Sequence, residues 1–300
     1  MKVLVTGANG LLGSKLVEAL STSYEVFPTD NAQAVYSKSM RMDIADANEV
    51  LEIFSEVRPD AVIHAAAETN VDKCETDRGL AWRVNAEGTR NISQACAKIE
   101  AKLIYMSTDY IFDGEKGLYT EYAQANPLNY YGLTKLKGEE FVRELCHDYV
   151  IARTSVLYGW HPRKLNFATW VIDSLKDGKR ISVVNDHYNS PTLSDNLAEM
   201  IQRALKVHLS GVYHMAGGER ISRYNFALKI AEMFDLDKAL ISPMKVADLE
   251  AWIAKRPRDS SLCVDKIRKE VGIEPLNLDE ALRRMKKGEH GMVVRETESF

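Results

Sequence analysis

The chain of 300 residues contains only four cysteines, has no long apolar run and carries no large excess of charge. The cysteines lie far apart without a Cys-x-x-Cys pair, which indicates buried free thiols in a reducing compartment. The seven histidines lack the spacing of metal ligands, so no metal is expected. The net charge of −4 gives no general attraction to nucleic acid or to an anionic membrane.

The start of the chain also lacks the pattern of a secretory signal. Its first apolar run, at residues 3–5, is soon followed by a glycine. A signal needs roughly 7–15 apolar residues and a membrane span needs roughly 20. No later run approaches that length, so we expect a cytoplasmic protein that binds no membrane.

Short apolar runs alternate with amphipathic segments along the first half of the chain. Runs at 3–5, 61–63 and 103–106 are typical of buried strands, and 50–57 carries apolar residues at helical spacing. Continuously apolar strands separated by helices indicate a parallel sheet covered on both faces. The sequence therefore predicts an α/β fold with a doubly wound parallel sheet of the Rossmann type.

The rhythm changes after about residue 155. We expect a dinucleotide-binding domain with the catalytic residues at 1–155, and a smaller, mainly substrate-binding region at 156–285 that is partly interwoven with it. Residues 286–300 are charged and lack periodicity, which indicates a flexible tail.

A glycine motif, Gly7-x-x-Gly10-x-x-Gly13, directly follows the first predicted strand and opens the first helix. Glycines there allow a tight turn and bring backbone N–H groups against a pyrophosphate, which the helix N-terminus also favours. A tight turn without a ligand would use the same glycines, but the order of strand, glycines and helix favours a dinucleotide site.

Asp30 stands at the end of the second predicted strand, 23 residues after Gly7. A carboxylate there can accept hydrogen bonds from the adenosine ribose and repels a 2′-phosphate, so NAD(H) is the preferred cofactor. Lys38 and Arg41 leave NADP(H) possible, and a turn or cap role for Asp30 stays open.

Tyr131 and Lys135 are four residues apart and share one face of a predicted helix. Lys135 would lower the pKa of Tyr131 and hydrogen-bond the nicotinamide ribose, while Tyr131 passes a proton to a developing alkoxide. Thr108 follows the preceding strand and is expected to hydrogen-bond the substrate carbonyl. The alternative for Tyr131 and Lys135 is a chance pair on the surface. The alternative for Ser107 and Thr108 is that their hydroxyl groups only cap a loop.

These residues resemble the extended short-chain dehydrogenase/reductase family. The shared stretches are the glycine motif, Asp43-Ile44, residues 64–67, residues 85–89 and Tyr131-x-x-x-Lys135. Within the family the chain is most similar to the dTDP-4-dehydrorhamnose reductases, through residues 107–114, 153–155, 185–192 and 256–260. The likeness extends from residue 1 to about residue 285.

The resemblance implies roles for the matching positions. The cofactor would contact Gly7, Gly10, Leu11, Leu12, Gly13, Asp43, Ile44, Ala65, Ala66, Ala67 and Asn85, together with the catalytic Tyr131 and Lys135. The substrate would contact Thr108, Asp109, Val156, Asn166 and Arg256, of which Asn166 and Arg256 would meet the nucleotide diphosphate. A surface salt bridge is the alternative for Arg256.

One position departs from the family pattern. The related reductases usually have a tryptophan that contacts the sugar after the Arg-Thr-Ser stretch, and here Val156 stands at that position. The exact sugar therefore stays open, while the hydride chemistry is unaffected.

We expect NAD(P)H-dependent reduction of the 4-keto group of a nucleotide-linked deoxysugar, with the proton from Tyr131. A nucleotide-sugar epimerase or dehydratase is one alternative, although the Asp-Glu pair typical of dehydratases is here Asp109-Tyr110. A non-catalytic regulatory subunit resembling that of methionine adenosyltransferase is another. Family analogy also suggests a homodimer formed through helices near 84–99 and 132–145.

Overall fold

The computed structural model describes residues 1–32, 39–163, 165–249, 252–272 and 274–297, with side chains described as far as Glu289. The strands are β1 (Lys2–Thr6), β2 (Glu25–Asp30), β3 (Met40–Arg41), β4 (Ala61–His64), β5 (Lys102–Thr108), β6 (Tyr149–Thr154), β7 (Leu157–Tyr158), β8 (Ile181–Val184), β9 (Tyr188–Asn189), β10 (Thr192–Leu193), β11 (Gly211–His214), β12 (Ile221–Ser222) and β13 (Ile241–Met244).

The helices alternate with these strands through most of the chain. They are α1 (Leu11–Leu20), α2 (Ala47–Val57), α3 (Val71–Thr76), α4 (Arg78–Ala81), α5 (Gly88–Ile99), α6 (Tyr130–Leu145), α7 (Phe167–Lys176), α8 (Ser194–Lys206), α9 (Arg223–Met233), α10 (Asp265–Val271) and α11 (Leu278–Thr297). A π-helical segment, Trp82–Glu87, leads directly into α5. No helix in the described ranges has both the length and the apolar composition to cross a membrane.

The central sheet has seven strands in the order β11-β6-β5-β4-β1-β2-β3, and every neighbouring pair is parallel. One face packs against α1 and α8, and the other packs against α2, α5 and α6. Strand β5 is buried along its whole length, as expected for a strand covered on both faces. The predicted doubly wound α/β fold is confirmed.

Local signals in the sequence account for several of these elements. Helix α2 begins after Asp46, whose carboxylate accepts the N–H groups of Asn48 and Glu49 and so caps the first turn. The helix buries Val50, Phe54 and Val57 on one face, and its chain direction changes at Arg58 in a left-handed conformation.

The second half of the chain builds its own core but also completes the first sheet. Helices α7, α9 and α11 pack around β8 and β13 in a separate apolar cluster. Strand β11 nevertheless joins the central sheet beside β6, and α8 covers α1. The two regions are interwoven in this way, and the boundary at residue 155 stays a prediction.

Residues 286–297 of the expected tail lie within the last helix of the chain. Helix α11 continues through Thr297, and residues 298–300 lie outside the described part of the chain. Its first half is anchored by the buried Leu282 and Met285, and the charged residues beyond them include good helix formers. A flexible tail at 286–300 therefore stays a prediction.

A buried ion pair connects α6 to the middle of the sheet. The carboxylate of Glu139 is fully buried and accepts hydrogen bonds from Arg153 at 2.8 and 2.9 Å, from Arg143 at 2.7 Å and from Ser107 at 2.6 Å. Burial alone would raise the pKa of Glu139, but its hydrogen bonds and the charge of Arg153 outweigh burial and hold that pKa below its usual value. The carboxylate therefore stays ionised.

We predict that Glu139→Gln destabilises the protein by roughly 3–5 kcal/mol, because it leaves the buried Arg153 without its counter-charge. Urea unfolding followed by circular dichroism measures this change. The control is Glu140→Gln, which removes a partner of Lys137 at an exposed site and should cost less than about 1 kcal/mol. Equal losses in both variants would contradict this account.

Candidate active site

A cavity of about 470 Å³ opens at the carboxyl ends of the central strands, the usual ligand position in such sheets. Its walls contain most of the predicted site residues. They are Gly7, Gly10, Leu11, Leu12, Gly13, Asp30, Asp43, Ile44, Ala65, Ala66, Ala67, Thr108, Asp109, Tyr131, Lys135, Val156 and Asn166. Asn85 and Arg256 are the two predicted residues that do not line it.

The glycine loop has the geometry that a pyrophosphate needs. Gly7 has a φ of 68°, which glycine adopts without strain. A Cβ atom at Gly13 would lie 2.0 Å from the carbonyl oxygen of Gly7, so only glycine allows α1 to pack this closely on the loop. Gly10 precedes the helix and has no side chain with which to cap it, so the first-turn N–H groups can face an anion.

Two acidic residues, Asp30 and Asp43, line the cavity near the carboxyl ends of β2 and β3. The carboxylate of Asp30 accepts the N–H groups of Asn9 and Ala32, both at 3.1 Å. Asp43 and Ile44 follow β3 and lie on the same wall. A rigid carboxylate at the end of β2 matches the position at which a ribose would be recognised.

The two cations that could meet a 2′-phosphate differ in what the structure shows. Lys38 lies outside the described residues. Arg41 is exposed and pairs with Glu49 at 3.1 Å. Arg41 is therefore already engaged by a carboxylate at the rim.

Asn85 supports the wall of the cavity from behind. Its amide accepts the N–H of Glu68 at 2.8 Å and donates to the carbonyl of Glu68 at 3.0 Å and to Thr134 at 3.2 Å. These bonds tie the loop after β4 to α6. Asn85 therefore supports the loop that carries Ala65, Ala66 and Ala67, and its direct cofactor contact stays a prediction.

Helix α6 delivers Tyr131 and Lys135 to the cavity. It begins after Asn129, whose side chain accepts the N–H of Gly132 at 2.9 Å. A Cβ atom at Gly132 would lie 2.1 Å from the carbonyl oxygen of Tyr110, so this glycine lets the helix start close to the end of β5. Thr108 and Tyr131 are brought within hydrogen-bonding reach of each other as a result.

The electrostatics of this trio keep the phenol protonated. Burial raises the pKa of Tyr131, and a hydrogen bond with Thr108 opposes that shift without cancelling it. Burial lowers the pKa of Lys135 to about 7, against the raising effect of Glu139. A neutral phenol beside an amine that titrates near neutrality can donate a proton.

Asp109 lies beside Thr108 at the floor of the cavity and is fully buried. Its carboxyl oxygens accept hydrogen bonds from Thr108 at 3.1 Å, from Ser155 at 2.8 Å and from Ser260. Burial raises the pKa of Asp109 and these hydroxyl groups oppose the shift. Asp109 thus joins strand β5, the loop after β6 and the C-terminal segment at one point.

Val156 and Asn166 lie on the wall next to the second region of the chain. Val156 adopts a φ of 42°, an uncommon conformation for a β-branched residue, and packs against the second core. Asn166 caps α7 through Thr169 and donates to the carbonyl of Gly159 at 2.7 Å. Its side chain is therefore already used within the protein.

Arg256 forms an ion pair with Asp72 of α3. Its guanidinium donates two hydrogen bonds of 2.7 Å to that carboxylate, and it lies 5.0 Å from the ring of Trp252. The sequence left open a surface salt bridge for Arg256; this pair is instead part-buried, and the expected diphosphate contact stays a prediction. The pair ties the segment around residue 254 to α3.

One charged residue near the site was missed in the sequence. Arg223, at the start of α9, lies over the ring of Phe167 at 4.8 Å and interacts electrostatically with Asp109 and Tyr110. Burial lowers its pKa, but an arginine stays charged at neutral pH. No motif marks Arg223 in the sequence, because its approach to the site depends on how α9 packs.

No group of three or more potential metal ligands occurs among the described residues.

Comparison with known proteins finds a family whose members resemble this chain over nearly its whole length. A family model described as RmlD substrate binding domain matches residues 1–289. The chain is 32% identical to a dTDP-4-dehydrorhamnose reductase of Aggregatibacter actinomycetemcomitans, over 95% of this chain and 98% of the relative. It is also 32% identical to the methionine adenosyltransferase 2 subunit beta of Bos taurus, over 87% of this chain and 80% of that protein.

A solved structure shows the same fold over nearly the whole chain. The dTDP-4-dehydrorhamnose reductase of Bacillus anthracis, in complex with NADP, superimposes with a TM-score of 0.88 at 35% identity. The match covers 95% of this chain and 98% of that one.

We predict that Lys135→Met raises the thermal unfolding midpoint, and more at pH 6 than at pH 9.5. The pKa of Lys135 is about 7 in the folded protein and 10.5 by itself, so the unfolded chain binds the extra proton between these values. The stability of the wild type therefore rises with pH across this window, and the advantage of methionine shrinks. Differential scanning calorimetry at the two pH values measures the gap.

The matched control is Lys137→Met, on the same helix but more exposed and paired with Glu140. Its effect on the midpoint should not depend on pH in this window. A pH-independent effect of Lys135→Met would show that the folded lysine does not titrate near neutrality.

Proposed function

The chain belongs to the family described as RmlD substrate binding domain, and from this premise we propose that it reduces the 4-keto group of a nucleotide-linked deoxysugar with NAD(P)H. The observation that carries the proposal is the meeting of Thr108, Tyr131 and Lys135 in the cavity that also contains the glycine loop. Related proteins named dTDP-4-dehydrorhamnose reductase support this substrate class.

The residues present fit a nicotinamide dinucleotide. The glycine loop and the start of α1 would hold the pyrophosphate, Asp30 the adenosine ribose, Asp43 and Ile44 the adenine, and Ala65, Ala66 and Ala67 the middle of the molecule. When bound, the reduced cofactor supplies the hydride. Lys135 would hydrogen-bond the nicotinamide ribose.

Side chains of the protein would supply the proton that the ketone oxygen needs. The Thr108 hydroxyl, which donates to Asp109 in the structure, would turn to donate to the ketone oxygen, and so polarise the carbonyl and fix its orientation. Tyr131, whose raised pKa keeps it protonated, donates its proton to that oxygen as negative charge develops there. Lys135 in its ammonium form stabilises the phenolate that remains.

Reduction fits the site better than dehydration. Elimination of water needs an additional acid and base beside the threonine. In this chain Asp109 is tied to three hydroxyl groups and Tyr110 follows it. The polar groups next to Thr108 therefore support a simple proton donation.

A regulatory role is the second candidate, favoured by the likeness to the bovine methionine adenosyltransferase subunit. In such a role the same cavity would bind the cofactor without turnover. For either role we also propose a cytoplasmic location. A homodimer formed through α5 and α6 is supported by family analogy and by Leu133 of α6, which is 44% exposed.

We predict that Tyr131→Phe lowers turnover of a dTDP-4-dehydro-6-deoxysugar by 10²–10⁴-fold, the usual contribution of general acid catalysis. Binding of NADH, measured by fluorescence titration, should change less than about threefold. Turnover is measured by loss of the reduced nicotinamide absorbance. A variant that keeps more than a tenth of the activity would remove Tyr131 as the proton donor.

The wild-type measurement separates the two candidate functions. Turnover supports the reductase. Cofactor binding without turnover of this substrate, together with capture of a methionine adenosyltransferase in fixed ratio, would favour the regulatory role.

We further propose that NADH is preferred over NADPH because the fixed carboxylate of Asp30 repels a 2′-phosphate. Asp30→Ser should raise the ratio of kcat/KM for NADPH to that for NADH by about tenfold, equivalent to about 1.4 kcal/mol. Asp60→Asn, at the opposite end of the strands where Asp60 bonds Lys2, is the matched control. An unchanged ratio in Asp30→Ser would remove Asp30 as the selecting residue.

A further inference from the structure

Tyr105 lies directly beneath the amine of Lys135. It is fully buried in the middle of β5, three residues before Thr108. The Nζ atom of Lys135 lies 4.1 Å from the centre of the Tyr105 ring. A cation over a ring face at this distance is attracted by the ring's quadrupole, and the attraction is strongest where water is excluded.

Several contacts hold the ring in this orientation. The hydroxyl of Tyr105 donates a hydrogen bond of 3.2 Å to the carbonyl of Lys135 itself. Gly138, on the next turn of α6, makes room for that hydroxyl, since a Cβ atom there would lie 2.3 Å from it. The ring of His64 packs against Tyr105 with centroids 5.6 Å apart.

The other groups that face Lys135 offer it little charge compensation. Glu139 raises the pKa of Lys135, but its carboxylate is bound by Arg153, Arg143 and Ser107. Cys74 from α3 has a pKa of about 12 and stays a neutral thiol. His64 from β4 has a pKa of about 3 and is also neutral.

We propose that Tyr105 is a positioning residue whose ring face holds the ammonium group of Lys135 in the catalytic cavity. The ring offsets part of the cost of burying this charge, and its buried position in β5 keeps it under the amine. Only the kinetic part of the test rests on the proposed function.

The direct test is the titration of Lys135 in the protein without cofactor. Lysine labelled with ¹³C at Cε is followed by NMR, and the resonance is assigned by its loss in Lys135→Met. Tyr105→Leu removes the ring, and Tyr105→Met is a second variant in case the first does not fold. We expect the pKa of Lys135 to fall by about one unit in either variant.

Tyr105→Phe is the matched control, because it keeps the ring face and removes the hydroxyl. Its Lys135 should titrate within about 0.3 units of wild type, given the strength of the ring contact. A purely structural role for Tyr105 would affect stability without producing this difference between variants. The proposal is overturned if the leucine and methionine variants titrate like wild type, or if the phenylalanine variant shifts as far as they do.

Kinetics add a second measurement that bears on the proposed function. If the pKa of Lys135 falls from about 7 to about 6, the fraction of Lys135 in the ammonium form at pH 7 falls about fivefold. We expect kcat/KM to fall by the same factor. The loss should vanish near pH 5. A shifted NMR titration without a kinetic loss would support the role of Tyr105 and count against the catalytic role of Lys135.

Discussion

The buried bond between Glu139 and Arg153 is the interaction on which the geometry of the cavity depends. Tyr131, Lys135 and Glu139 follow one another at four-residue intervals and so share one face of α6. Arg153 lies in β6 and Ser107 in β5, so the carboxylate fixes the rotation of the helix against two strands at once. With that rotation set, the two residues on the preceding turns must face the cavity.

The same arrangement explains why the site combines opposite demands. Helix α6 carries the strongly bound carboxylate of Glu139. One turn earlier it carries the amine of Lys135, which is buried and has no ion pair among the described residues. The first gives rigidity and the second gives a group that changes charge near neutral pH. The proposed reaction needs both properties, because the site would have to hold a cofactor and also move a proton.

Much of the fold and of the cavity lining could be predicted from sequence, because the signals are local. The glycine motif, Asp30 and the four-residue spacing of Tyr131 and Lys135 each express a geometry confined to one turn or one helix. Long-range partners could not be found in this way. Asp72 lies 184 residues from Arg256, and Arg223 reaches the site only through tertiary packing. The left-handed backbone of Val156 also has no sequence signature, since β-branched residues rarely adopt it.

The edge position of β11 has a consequence for how the protein is made. A ribosome synthesises the chain from the N-terminus onward, so β1 to β6 emerge long before residues 211–214 do. Until then the outer edge of β6 presents unpaired backbone groups, and α1 lacks its covering helix α8. The nascent cofactor domain therefore spends more than fifty residues of synthesis with an open sheet edge, a period in which a chaperone could bind it.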